Sequence, residues 1–277
     1  HDVALFFKIS ILIYSKIIMN IRKILYFKNL KTKLISILYG LVCHTSFAAS
    51  GLSMLWVLYN GFTVSLGSVT YPLGIFLNFF LLIQFPILHS YLLSNNGRKI
   101  LRLFAPQNYA KTLETTIYAT IASIQLLLLF IFWSPSRIVI YDLNYPFNIF
   151  NFLLYILGWI LLSISSLQAG YKVQTGSLGW TSMFLSKKPQ FPPMPTNGLF
   201  KLIRQPIYLS FCIVLWSPPT MTLDLFCVAL FYSFYCYFSP YFKEKRFTKL
   251  YGESFLKYKK NTPYFFPIHF FYLRPKK

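Results

Sequence analysis

Acidic side chains are scarce in this 277-residue chain: six Asp and Glu stand against 27 Lys and Arg, and charged residues of both signs make up only 12%. Soluble domains carry roughly 25%, so an ordinary soluble domain is excluded. Cysteine is equally thin. Cys43, Cys212, Cys227 and Cys236 all fall in apolar stretches with no Cys-x-x-Cys spacing, which leaves a zinc site or a disulfide framework unsupported and reads them as small buried hydrophobes. The four histidines are scattered, His44 and His89 each standing alone, so neither haem nor metal ligation is expected. No glycine-rich dinucleotide motif is present. The apolar runs are nearly free of charge, which argues against a transporter, where mid-span charges mark the substrate path.

What remains is apolar and aromatic: 56% hydrophobic residues, 20% Phe, Trp and Tyr, and a mean hydropathy of +0.52. About 20 apolar residues cross a hydrocarbon core, and runs of that kind occur at 34–59, 71–93, 113–133 and 147–168. A fifth and a sixth, 199–217 and 221–240, form a hairpin turned by Pro218-Pro219. The expected fold is all-α: a polytopic transmembrane bundle of about six spans with a C-terminal amphipathic interfacial segment. Residues 3–19, apolar but interrupted by Lys8 and Lys16, read either as an interfacial helix or as an additional N-terminal span.

The basic residues follow an alternation. Seven lie before residue 34, four in 94–112, five in 169–206 and ten from 241 onward, leaving only Arg137 for the other loops. The positive-inside rule places both termini and the two basic loops in the cytoplasm, with 60–70, 134–146 and 218–222 outside. A net charge of +21 then reflects attraction to anionic lipid rather than nucleic-acid binding.

Organisation changes along the chain. Residues 1–33 are a basic lead-in and 34–168 a four-span scaffold. Residues 169–195 form a linker ending in the Pro-rich run Lys187 to Pro195, which cannot continue a helix. Residues 196–267 carry the candidate site, and 268–277 a basic tail. Gln205, preceding a proline, is biased away from helix, and Pro206 suits the first turn of the next one. Arg204 and Gln205 are thereby set at the cytoplasmic mouth of the hairpin, by a helix N-terminus that favours an anion. Asp224 reads as a dipole-compensating charge at the opposite face. Beyond Pro240, Phe247, Leu250, Tyr251, Phe255 and Tyr258 recur among lysines, as in short amphipathic helices interrupted near Gly252.

The cluster Gly198, Phe200, Arg204, Pro206, Ile207 and Tyr208 resembles the Gly-x-Tyr-x-x-x-Arg-His-Pro-x-Tyr run of methanethiol S-methyltransferases and, more distantly, of isoprenylcysteine carboxyl methyltransferases. Leu215 to Thr222 is similar to the Phe-Trp-x-x-Pro-Thr-Met-Thr turn of the first group, and Gly252 to Tyr258 to its Gly-x-x-Tyr-x-x-Tyr ending. Upstream, Leu88-His89-Ser90 and Glu114 to Tyr118 carry a diffuse likeness. The scaffold also resembles that of denitrification-associated membrane proteins, so a non-catalytic protein of the same fold is the alternative.

The resemblance implies S-adenosylmethionine as cofactor, with membrane lipids around the protein and a small-molecule or lipidic methyl acceptor, and no metal. It implies a cofactor site of Gly198, Leu199, Arg204, Gln205, Pro206, Tyr208 and Glu244. In that picture Arg204 pairs bidentately with the methionyl carboxylate, Glu244 meets the α-ammonium, and Tyr208 with Gly198 shapes the adenosyl pocket. Arg204 and Glu244 would carry the chemistry. Phe211, Trp216, Phe226 and Tyr232 would tolerate an apolar acceptor arriving from lipid. Beside Phe200 and Phe255, which stand where the family has Tyr, two positions depart from the pattern: Gln205 stands where the family has His, removing a candidate base, and Lys243 stands where it has the first Glu of a Glu-Glu pair. A cation there opposes a sulfonium, so Lys243 is expected to point away from the pocket.

Overall fold

The computed structural model describes residues 2–267, with side chains from Asn29 onward. The reading of 3–19 falls where only the backbone is described, and the basic tail at 268–277 lies outside the described residues. The helices in chain order are α1 (Asp2–Tyr59), α2 (Leu73–Leu92), α3 (Asn95–Leu103), α4 (Glu114–Phe132), α5 (Phe147–Gln168), α6 (Tyr171–Gln174), α7 (Ser177–Phe184), α8 (Leu199–Leu202), α9 (Pro206–Trp216), α10 (Leu223–Phe238), α11 (Pro240–Tyr251) and α12 (Glu253–Asn261). Two short strands, β1 (Val139–Asp142) and β2 (Thr220–Thr222), pair antiparallel.

Among the described residues, five helical stretches are long and apolar enough to cross a membrane: Asn29–Tyr59, Leu73–Leu92, Glu114–Phe132, Phe147–Gln168 and Leu223–Tyr251. The chain is an integral membrane helical bundle. The expected span at 199–217 is shorter than its apolar run. Ile203 is extended at φ −144°, ψ 154°, and Gln205 sits at φ −122°, ψ 51°, so a new helix starts only at Pro206. The 11 residues of α9 rise only about 16 Å, half the hydrocarbon thickness. This shortening leaves the Ile203–Gln205 backbone buried inside protein, where its polar groups find partners.

Apolar lipid cannot drive apolar helices together, so close backbone approach and polar contacts hold the bundle. Gly158 lets α5 meet α9, since a Cβ there would lie 3.0 Å from Val214 and 3.1 Å from Ile213. Between α2 and α4, Gln84 Nε2 donates to the Gln125 carbonyl at 2.9 Å, and Gln125 Nε2 returns bonds to the Gln84 carbonyl and Oε1 at 3.0 and 2.8 Å. Tyr232 donates to the Leu82 carbonyl at 3.1 Å and Tyr155 to that of Leu55 at 2.6 Å. A core of Leu58, Phe62, Leu129, Phe130, Leu215, Leu225 and Val228 fills one end.

The segment read as linker is partly ordered into helix. The short α7 packs between α1 and α4, held by Trp180 N donating to Thr116 Oγ1 at 2.9 Å and Trp180 Nε1 to His44 Nε2 at 3.0 Å. From 187 to 198 the chain runs without regular structure.

The loops 134–146 and 218–222 join through the strand pair, a link that their composition did not signal. Asp224 anchors it. Buried at the start of α10, its carboxylate accepts from Trp133 Nε1 at 2.8 Å, Ser136 N at 2.8 Å and Ser136 Oγ at 2.6 Å. Thr222, not Asp224, caps the helix by accepting from Leu225 N.

Candidate functional site

At the other end of the bundle, the non-helical Ile203–Gln205 segment meets the tail. Arg204 Nε donates to Glu244 Oε1 at 2.8 Å, and Arg204 Nη1 donates to the Lys259 carbonyl at 2.9 Å and to the Thr262 carbonyl. Its backbone N donates to the Pro263 carbonyl at 2.9 Å, and its guanidinium lies 5.3 Å from the centroid of the Tyr264 ring. One arginine thus closes the C-terminal end of α12, where helix carbonyls lack partners. Glu244 serves three donors, with Gln205 Nε2 also on Oε1 at 2.9 Å and Lys259 Nζ 3.3 Å from Oε2.

Gln205 is buried, and its Oε1 has no partner among the described residues. The amide therefore retains the donor half of a histidine's bonding but no titratable nitrogen. Pro206 is buried at the first turn of α9 as expected. Gly198 holds φ +60°, ψ −129°, and a Cβ there would come within 2.3 Å of the Gln168 side chain, whose Oε1 accepts from Leu199 N at 2.8 Å. That conformation is open essentially to glycine alone. Tyr258 donates to the Phe200 carbonyl at 2.6 Å, tying α12 to α8, and burial pushes its hydroxyl pKa up.

Arg204, Gln205 and Glu244 are brought together, yet they form a latch behind the cavity wall. The cavity, about 370 Å³, is lined by Phe85 and His89 of α2, Phe200, Tyr208 and Phe211, Tyr232, Tyr235 and Cys236 of α10, and Lys243 and Phe247 of α11. A second cavity of about 360 Å³ adjoins it and shares Phe85, His89, Leu126, Gln174, Tyr208 and Lys243, adding Arg98, Glu114, Tyr118 and Arg246. Tyr208, Phe211 and Tyr232 are thus on the wall. Trp216 and Phe226 instead meet edge to face, 5.8 Å between centroids, on the outer side of the hairpin.

Lys243 does not point away from the pocket. Its Nζ lies 5.2 Å from the Tyr208 ring centroid and 5.9 Å from that of Phe247. The reason is helical phase: adjacent positions on α11 diverge by about 100°, so with Glu244 turned into the latch, Lys243 turns to the cavity.

His89 was set aside as a lone histidine. It borders both cavities, Tyr118 Oη lies 2.8 Å from its Nε2, and its Nδ1 is buried without a partner among the described residues. Its only sequence signal was the faint Leu88-His89-Ser90 likeness. No group of three or more His, Cys, Asp or Glu that could hold a metal occurs among the described residues.

No family model and no solved structure matches the chain. It is similar to the methanethiol S-methyltransferase of a Pseudomonas species, 24% identical over 240 residues that cover 83% of this chain and 89% of that protein. Methanethiol S-methyltransferase 1 of Bradyrhizobium diazoefficiens is 25% identical over 240 residues, 85% of this chain and 83% of the relative. The methanethiol S-methyltransferase of Mycobacterium tuberculosis is 23% identical over 203 residues, 72% and 82% respectively. The resemblance, specific from Gly198 to Tyr258 and diffuse upstream, therefore covers most of the chain, and it supports a membrane methyltransferase.

Proposed function

We propose that this membrane methyltransferase moves a methyl group from S-adenosylmethionine to a small thiol, within the paired cavities between α2, α4, α9, α10 and α11. The observation that carries the reading is the wall of aromatic faces, Phe85, Tyr208, Phe211, Tyr232 and Tyr235, beside a histidine with an uncommitted nitrogen. Aromatic faces attract a sulfonium as they do other cations, so the residues present fit the cofactor. Bound there, S-adenosylmethionine would supply an electrophilic methyl group.

The chain's own part is alignment, exclusion of water and proton handling. The apolar walls keep the site dry. Arg204 and Glu244 are positioning residues, which clamp the tail so that Tyr208, Lys243 and Phe247 stay on the wall; Gly198, Leu199, Gln205 and Pro206 shape the turn that carries them. A thiol must lose its proton to become a strong nucleophile, and His89 is the imidazole at the junction of the two cavities. Tyr118 Oη also lies 3.3 Å from the His89 carbonyl. If it donates there, it accepts from Nε2–H and leaves Nδ1 as the lone pair that takes the thiol proton. By the positive-inside rule this end of the bundle faces the cytoplasm.

The test is calorimetric titration of the detergent-purified protein with S-adenosylhomocysteine and then S-adenosylmethionine, followed by methyl-transfer assays on thiols and lipids. Micromolar binding of both, with turnover of a thiol, is expected. Absence of binding by either would reject the reading.

A further inference from the structure

Five acids have described side chains: Glu114, Asp142, Asp224, Glu244 and Glu253. Glu114 is shared by Arg98, at 3.5 Å, and Arg102, and Glu244 by Arg204 and Lys259. Asp224 is held by Trp133 and Ser136, and Asp142 accepts from Thr220 across the strand pair. Glu253 lies in the first turn of α12 and makes no ion pair among the described residues. Among the described side chains, no carboxylate is left within ion-pair distance of Lys243 or Arg246.

Both of these cations line the second cavity, and Lys243 lines the first as well. Three residues apart on α11, they share a face. The neighbours of Lys243 are the rings of Tyr208 and Phe247; His89, Tyr118 and Tyr235 also line the cavities, as do Arg98 and Glu114, which pair with each other in the second. Lys243 is half-buried, where a charge without a partner is costly, while Arg246 stays exposed at the rim. Ring faces recover only part of that cost.

We infer that Lys243 and Arg246 form a seat for a carboxylate of a small molecule held where the two cavities adjoin. The inference rests on the methyltransferase reading. Two sources share this chemistry: the aminoacyl end of the cofactor, and an acid group on the thiol acceptor. In either case Lys243 replaces the family's Glu with a residue that binds a ligand anion.

The experiment compares ligands with and without the carboxylate, by calorimetry in an uncharged detergent free of anionic lipid. The first pair is S-adenosylhomocysteine and 5′-methylthioadenosine, the second 3-mercaptopropionate and 1-propanethiol. In the unmodified protein, the acid member of at least one pair should bind about ten-fold tighter or more, the range of a charge-assisted contact. Lys243→Met should bring that ratio close to one, Arg246→Gln should reduce it, and Lys243→Arg should keep it, showing that loss is not misfolding. Collapse of the first ratio assigns the seat to the cofactor, and collapse of the second to the acceptor. Ratios near one in the unmodified protein, or ratios that survive Lys243→Met, overturn the inference. If neither adenosyl compound binds, the methyl-donor reading fails, while the thiol pair still reads the seat.

Discussion

Glu244 Oε1 lies 2.8 Å from Arg204 Nε, with both side chains more than nine-tenths buried. The contact spans 40 residues of sequence and joins the non-helical turn before α9 to the middle of α11. Because the same guanidinium also closes α12, the pair fixes the tail against the bundle.

Breaking this pair should cost stability before anything else. Glu244→Leu leaves the Arg204 guanidinium buried without its counter-charge, and the expected loss is about 3–5 kcal/mol. Thermal unfolding in detergent measures it. A loss under about 1 kcal/mol would mean that the tail is not held through this contact.

His89 should behave differently. His89→Gln is expected to lower kcat for thiol methylation by about 10²–10⁴-fold, the range of a positioned proton acceptor, while S-adenosylhomocysteine binds as before. Tyr118→Phe removes the hydroxyl that fixes the imidazole and should have a smaller effect in the same direction. Equal loss of ligand affinity in His89→Gln would show that the ring shapes the cavity instead.

Gly198→Ala tests the turn. The alanine Cβ meets the Gln168 amide, and the backbone angles are ones only glycine adopts freely. A destabilisation of about 1–3 kcal/mol is expected, visible as a lowered melting temperature. Gln168→Ala in the same background should recover part of it by clearing the space.

At the opposite end, Asp224→Leu strips acceptors from Trp133 Nε1 and from Ser136 N and Oγ. A loss of about 3 kcal/mol or more is expected from buried donors left without partners. Ligand affinity should not change, since Asp224 borders neither cavity. A large effect on binding would tie the strand pair to the site.

The sequence by itself determined the membrane class, four of the spans and the hairpin's return helix, because long apolar runs and a 3.6-residue period are local properties. It also placed the start of α9 at Pro206, since proline geometry is set by the residue and its neighbour. The break near Gly252 was legible for the same reason.

Only the tertiary structure decided which polar groups meet. Arg204 and Glu244 were both singled out, but nothing local says that they bind each other rather than a ligand; that depends on the phase of α11 against the turn before α9. The same phase sends Lys243 into the cavity when charge alone argued for the outside. His89 carried almost no signal, because a lone histidine gains meaning from what surrounds it. Its surroundings come from Phe85 one turn back, Tyr118 on α4 and Tyr208 on α9, residues up to 119 positions away. The fold therefore followed largely from composition and period, while the site followed from packing between segments distant in the chain.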